Sequence, residues 1–234
     1  METKNSSSIN VRPVYIDLQS AALRGTLYLP DHPLGWVILI HAVGSSRDSR
    51  KIKFVSSVLN ERGIATLLFD LMTLEERQDR ELRLSIPFLG KRVTEVAQWL
   101  ESKIPEFRHS PFLSLYGVGH GGAAALWAAA ESAFPITALV TLSGRPDLVG
   151  LRLHAVTAPT LLLVGKEDSP LIDLHTRAFN RLFHADLVLI EGANQLFEDT
   201  NALREAATQA ENWFAQFFHD ERSSYVGMPK KTAS

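Results

Sequence analysis

The residues Gly117-Val118-Gly119-His120-Gly121-Gly122 follow an apolar run and open a helix-length segment, so the chain turns sharply there from strand to helix. Two chemistries use such a turn. With a hydroxyl at its centre it presents a nucleophile for acyl transfer; as a glycine-rich loop it cradles phosphates. The centre here is Gly119, which has no side-chain atom to attack with. The spacing Gly117-x-Gly119-x-x-Gly122 also matches the dinucleotide fingerprint, so a dinucleotide-binding protein is one alternative. That fingerprint requires an acid about twenty residues on, at the end of the next strand, to hold ribose hydroxyls. The next apolar run ends in Thr141-Leu142-Ser143, and Asp147 follows only after a proline turn. The eight histidines show no His-Glu-x-x-His spacing, and no metal site is expected. With no cysteine, the chain has no thiol nucleophile, thiolate metal site or disulfide.

The elements that must position these residues are legible as apolar runs alternating with longer amphipathic segments, the pattern of helices on both faces of a mostly parallel sheet. Val14–Leu18 and Leu23–Leu29 form an opening pair of strands. Trp36–His41, Ala65–Phe69, Phe112–Tyr116, Ala138–Leu142, Thr160–Val164 and Ala185–Ile190 carry little polar alternation and predict a parallel core covered on both sides. Helices are expected over Asp48–Glu61, Phe88–Lys103, Gly121–Phe134, Leu171–Leu182 and Ala202–Phe218. The charge-dense stretch Glu75–Arg83 reads as a solvated loop and helix start rather than a lid.

With strands and turns in this order, the chain resembles the α/β-hydrolase superfamily, and within it the dienelactone-hydrolase branch. The resemblance rests on His41-Ala42-Val43-Gly44-Ser45-Ser46-Arg47 after the third strand, Leu68-Phe69-Asp70-Leu71 after the fourth and Gly117-Val118-Gly119-His120-Gly121 after the fifth. It continues through Leu163-Val164-Gly165-Lys166-Glu167-Asp168 and Glu191-Gly192-Ala193-Asn194-Gln195-Leu196-Phe197. It covers residues 11–218 and implies one domain with an eight-stranded, mostly parallel sheet and no large cap domain, between a flexible segment 1–10 and a polar tail 219–234. It also implies a catalytic triad, whose nucleophile position falls on Gly119, acid on Asp168 and histidine on Gln195. Only the acid is of the required type. Glycine cannot attack, and a glutamine amide has no pKa near neutrality with which to act as a base. The oxyanion hole implied by the same resemblance is made of backbone N–H groups, those of His120 and of Ala42 or Val43, and survives any change of side chain.

A non-catalytic or weakly active pseudo-hydrolase is therefore expected, one that binds a small carbonyl- or carboxylate-bearing ligand or a protein partner. Glycine at 119 relieves the strain of an elbow, and the Gln195 amide is expected to donate to Asp168. The alternative enzyme is an ester or lactone hydrolase that uses a non-standard nucleophile or activated water, with His120 and Asp168 the candidates. Ser45 and Ser46 read as hydroxyls that cap the next helix, Ser143, at a strand's carboxyl end near the pocket, as part of a turn, and His41 as a satisfied core histidine. Hydrophobic content of 45% and a net charge of -2 give no electrostatic reason for nucleic acid or an anionic membrane surface. No stretch approaches eighteen apolar residues. A cytoplasmic monomer or homodimer without cofactors is expected.

Overall fold

The six apolar runs become strands because helices cover them from both sides. A computed structural model, which describes residues 8–131 and 134–226, forms them as β3 (Trp36–Ile40), β4 (Ala65–Phe69), β5 (Leu113–Val118), β6 (Ile136–Leu142), β7 (Thr160–Gly165) and β8 (Ala185–Ile190). Every pairing among them is parallel. An antiparallel hairpin of β1 (Ile9–Asp17) and β2 (Ala22–Pro30) joins β4 through β2. The resulting eight-stranded sheet has the order β1-β2-β4-β3-β5-β6-β7-β8. The strands β3, β4 and β7 are buried at every residue, whereas β8, at the sheet edge, is partly exposed along most of its length. The edge has a neighbour on one side only, which full apolarity does not reveal.

Alternation along the strands divides the core in two. Val37, Leu39, Leu68, Tyr116 and Val140 face α1 (Arg50–Glu61) and α6 (Thr200–Val226). Ile38, Ile40, Leu67, Leu115 and Leu139 face α3 (Ile86–Lys103), α4 (His120–Glu131) and the end of α5 (Ser169–Phe179). Local chemistry sets where these helices start. The Ser85 hydroxyl accepts from Phe88 N at the head of α3, the Asp168 carboxylate accepts from Leu171 N at the head of α5, and each helix carries a proline in its first turn. No cap domain is inserted among the described residues; a 3-10 stretch, Pro146–Ala155, links β6 to β7.

Several boundaries differ from expectation. Strand β1 begins at Ile9, so Ile9 and Asn10 of the segment expected to be flexible pair with Pro30 and Leu29. Helix α6 continues beyond Phe218 to Val226, into the expected polar tail. Residues 1–7 and 227–234, the outer parts of the expected N-terminal segment and tail, lie outside the described residues, as do residues 132–133 of the third expected helix. Among the described residues no helix is long and apolar enough to cross a membrane.

Candidate active site

Gly119 stands between the end of β5 and the start of α4, as the sequence predicts. Its φ of +55° lies in the left-handed region, where a side chain costs energy and glycine does not. Its N–H donates to the Leu142 carbonyl of β6 at 3.1 Å, and its own carbonyl accepts from Gly122 N at 3.0 Å and Ala123 N at 3.4 Å. The turn is thus pinned from both sides. A Cβ at 119 would approach only the Ala42 Cβ, at 3.5 Å, so the space for a side chain exists and the penalty is one of backbone.

The other glycines of the motif are demanded by packing. A Cβ on Gly117 would fall 2.4 Å from the Gly121 carbonyl oxygen, and one on Gly121 would fall 2.6 Å from the carbonyl oxygens of Ile40 and His41. One on Gly122 would sit 3.0 Å from the Gly144 Cα. Their absence lets α4 start pressed against β5, β3 and the turn after β6. Close approach of backbones at 117 and 122, together with the positive φ at 119, accounts for the Gly117-x-Gly119-x-x-Gly122 spacing without a nucleotide.

Above this turn, at the carboxyl ends of the parallel strands, lies a cavity of about 310 Å³. Ala42, Lys51, Gly119, Ser143, Gln195 and Leu196 are among its walls. A larger hollow of about 430 Å³ adjoins Arg47, Asp70 and Arg77, away from the strand-to-helix turn. Of the residues singled out in the sequence, Gly119, Ala42 and Gln195 meet around the first cavity, together with His41, Ser45 and Ser143. Val43 lines a neighbouring hollow of about 130 Å³. His120 and Asp168 belong to the walls of neither.

Asp168 sits on the loop between β7 and α5, which is tied to the loop after β8 by Lys166 N donating to Ile190 O and Glu167 N to Ala193 O, both at 3.0 Å. Its carboxylate does not receive the Gln195 amide. Instead Asp168 Oδ1 accepts from Leu171 N at 3.2 Å and caps α5. Gln195 is exposed, and its amide makes no hydrogen bond among the described residues. A backbone donor three residues away is available to Asp168 at no cost in side-chain ordering, so the local bond wins over the long-range one.

The histidines near the turn have separate environments. His41 is buried; its Nδ1–H donates to Ala42 O at 2.9 Å, which leaves Nε2 to accept from Leu71 N at 3.2 Å. Both ring nitrogens are used, as expected for a core histidine, and burial pushes its pKa below the ordinary value. His120 is half-buried, and its pKa is lowered first by desolvation and then by the Arg145 guanidinium, against an opposing pull from Asp147. Arg145 and Asp147 bond each other at 2.9 and 2.7 Å, which holds the Asp147 carboxyl below its usual range.

Hydroxyls and charges complete the site. Neither Ser45 nor Ser46 caps α1, whose N-cap is Ser49 without a side-chain bond; Ser46 Oγ instead accepts from Asp48 N at 3.3 Å in the turn before the helix, and Ser45 lines the cavity. Ser143 is more than a turn residue. Its φ is +44°, it is 2% exposed, and its Oγ is buried with no hydrogen-bond partner. Lys51 of α1, which no motif marks, donates to the Leu196 carbonyl beside the cavity. The stretch Glu75–Arg83 is a solvated loop and helix start, as expected, with no residue buried. It forms a short 3-10 turn and then α2 (Arg80–Leu84), Arg77 bonds Asp70 at 2.9 Å, and Glu76 pairs with the buried Arg92 of α3 at 2.7 Å. Asp70 also receives the Arg47 guanidinium. Among the described residues no group of three or more His, Asp or Glu side chains is arranged to hold a metal ion.

No family model matches the chain. The crystal structure of a dienelactone hydrolase from Anabaena variabilis superposes with a TM-score of 0.84 at 37% identity, covering 89% of this chain and 98% of that one. Est1E from Butyrivibrio proteoclasticus (TM-score 0.75, 17% identity) covers 88% of this chain and 99% of its own, and shares the fold. So does a dienelactone hydrolase-like promiscuous phosphotriesterase from metagenomic libraries, with TM-score 0.74, 18% identity, and coverage of 89% and 98%. Two curated relatives from Mycobacterium tuberculosis, each named "Putative phosphoribosyl transferase", are 39% identical over 191 residues. That match takes in 81% of this chain but spans only 43% of their length.

Proposed function

Since the chain belongs to the dienelactone-hydrolase branch of the α/β-hydrolase superfamily, we propose that it keeps the pocket of that fold without serine acyl transfer and uses it to bind a small carbonyl- or carboxylate-bearing molecule. The observation that carries this reading is Gly119. At the strand-to-helix turn under the cavity, where the attacking oxygen of such an enzyme would project, there is a left-handed glycine with open space above it. Gln195, at the position of the base, has no ionisation with which to move a proton. Asp168 is occupied as a helix cap and has no imidazole to orient. What remains is binding apparatus: the N-terminus of α4, the loop at Ala42, and a cavity of small-molecule size.

Hydrolysis by activated water would call on His120, whose lowered pKa leaves a neutral ring at pH 7. That ring sits beside the Arg145–Asp147 pair rather than on the cavity wall, so geometry favours the binding reading. The transferase name attaches to proteins of which the matched segment is 43%, and is not carried over to a chain whose cavity lies over an esterase-type turn.

A serine-reactive phosphonate probe, together with a short-chain aryl-ester assay, tests the proposal. No covalent adduct is expected, and any ester turnover should be the same in His120→Ala as in the wild type. Labelling of any serine, or turnover abolished by His120→Ala, overturns it.

A further inference from the structure

The walls of the cavity over Gly119 define the charge of what it holds. Lys51 lines it, and no Asp or Glu is among the described residues that do. Helix α4, twelve residues long, begins at His120, directly after the cavity-lining Gly119. The first N–H groups of a helix have no intrahelical carbonyl to bond and carry the positive end of its dipole. Gly122 N and Ala123 N are satisfied by the Gly119 carbonyl, while His120 and Gly121 precede the first intrahelical bond. Ile52, Val118 and Leu196 supply an apolar side to the same hollow.

Ser143 is the independent sign of a ligand. It lines the cavity, is 2% exposed, and leaves its Oγ buried without a partner. Burying a hydroxyl unpaired is unfavourable, and almost all such groups in folded proteins are bonded. The same residue holds a φ of +44°, a conformation glycine would adopt without strain. The backbone there is held by Ser143 N donating to Leu163 O at 2.9 Å and Leu142 O accepting from Gly119 N at 3.1 Å, but nothing in the turn uses the hydroxyl, so its burial is not accounted for by the fold alone.

We infer that the cavity takes a small monocarboxylate with an apolar tail, its carboxylate held between the Ser143 hydroxyl and the N-terminus of α4, with Lys51 supplying the counter-charge. The inference rests on the pocket-without-acyl-transfer reading above and specifies its ligand. Ser143 donates to the carboxylate, an acceptor-only group when ionised, and the hydroxyl thereby gains the partner it lacks. Ser143, a residue of the turn after β6, is thus the specificity-determining contact, while the residue of the strand-to-helix turn contributes only backbone.

Calorimetric titration of the full chain with phenylacetate, and with benzyl alcohol as its uncharged counterpart, tests this. Wild type is expected to bind phenylacetate saturably and at least about tenfold more tightly than benzyl alcohol, since hydrogen bonds to charged groups are the stronger ones. Ser143→Ala and Ser143→Gly are each expected to weaken phenylacetate binding by about tenfold. Ser143→Gly also relieves the positive φ and should melt at a higher temperature than wild type, so its loss of binding is not a loss of fold. Lys51→Gln should weaken phenylacetate and leave benzyl alcohol unchanged. Wild-type phenylacetate affinity in both Ser143 variants overturns the inference, as does benzyl alcohol binding as tightly as phenylacetate. Wild type that binds neither compound overturns it too, and leaves the absence of acyl transfer to its own labelling test.

Discussion

At Gly119 a single position decides both backbone strain and the availability of a nucleophile. Its φ of +55° disfavours any residue with a Cβ, yet a Cβ there would make only an ordinary contact of 3.5 Å with Ala42. Gly119→Ser is therefore expected to lower stability by about 1 kcal/mol, read from urea unfolding, through backbone strain rather than a clash. Alone it should gain almost no ester turnover, because Gln195 cannot take the proton. Combined with Gln195→His it should raise aryl-ester hydrolysis roughly a hundredfold over either single variant, since groups of a triad act as a unit. Asp168 limits the gain: Oδ1 is committed to Leu171 N, so only its second oxygen is free for the imidazole. A double variant no more active than Gly119→Ser would mean that the positions do not meet as a triad would. Gly119 and Gln195 were legible in the sequence because the order of motifs along the chain fixes which strand end each occupies. Ser143 was legible as a residue at a strand's carboxyl end near the pocket, though not the burial of its hydroxyl, and Lys51 was not legible at all, since its place beside the cavity depends on how the first turn of α1 meets Leu196 in space. The Asp168 partner was misread because helix capping and triad duty favour the same residue type.

Strands were legible where their sequence runs apolar, which the buried strands β3 to β7 share with the partly exposed edge strand β8. Strands β3 to β8 declare themselves as Val-, Leu- and Ile-rich runs, whereas β1, at the opposite sheet edge, leaves Val11 and Tyr15 exposed and hides its first half in ordinary polar alternation. The polar residues after Phe218 likewise conceal the last turns of α6, which need no core contact to continue a formed helix. The stretch Glu75–Arg83 is the solvated loop and helix start its charges suggest, with no residue buried, but charge density in one dimension does not reveal which of its side chains finds a partner in three. Arg92 is 2% exposed on α3 and donates to both Glu76 carboxylate oxygens, at 2.7 and 3.2 Å, with Glu95 more distant at 3.7 Å. Removing the near partner leaves a buried guanidinium with a poor substitute. Glu76→Ala is expected to cost about 3 kcal/mol in urea unfolding, and Glu95→Ala less than about 1 kcal/mol. Similar small losses for both would show that Arg92 is hydrated and that the segment is held by Arg77 and Asp70 instead.

The whole molecule carries a pH dependence set by histidines at different depths around the sheet. His41, His120 and His175 all have pKa values below the ordinary 6.5, and burial is the first cause for each. His175 is fully buried on α5; its Nδ1–H donates to Leu171 O at 2.8 Å, and its Nε2 has no partner to share a second proton. A depressed histidine pKa means that the unfolded chain binds more protons than the folded one at every pH between the lowered value and 6.5. Stability is then fully present above 6.5, begins to fall as pH drops through it, and continues to fall until the folded-state value is reached. The carboxyl of Asp147 acts in a separate and more acidic window, below its ordinary 3.8, because Arg145 holds its pKa down. The urea midpoint should accordingly be level between about pH 7 and 8 and decline between about pH 6.5 and 5.5, before any carboxylate is protonated. His175→Gln should flatten that decline, and His120→Gln should flatten it less, because a half-exposed ring loses less hydration on folding. A midpoint that stays level or rises on acidification to pH 5.5 would mean that these rings gain protons in the folded state, and would remove burial as the force that sets their charge.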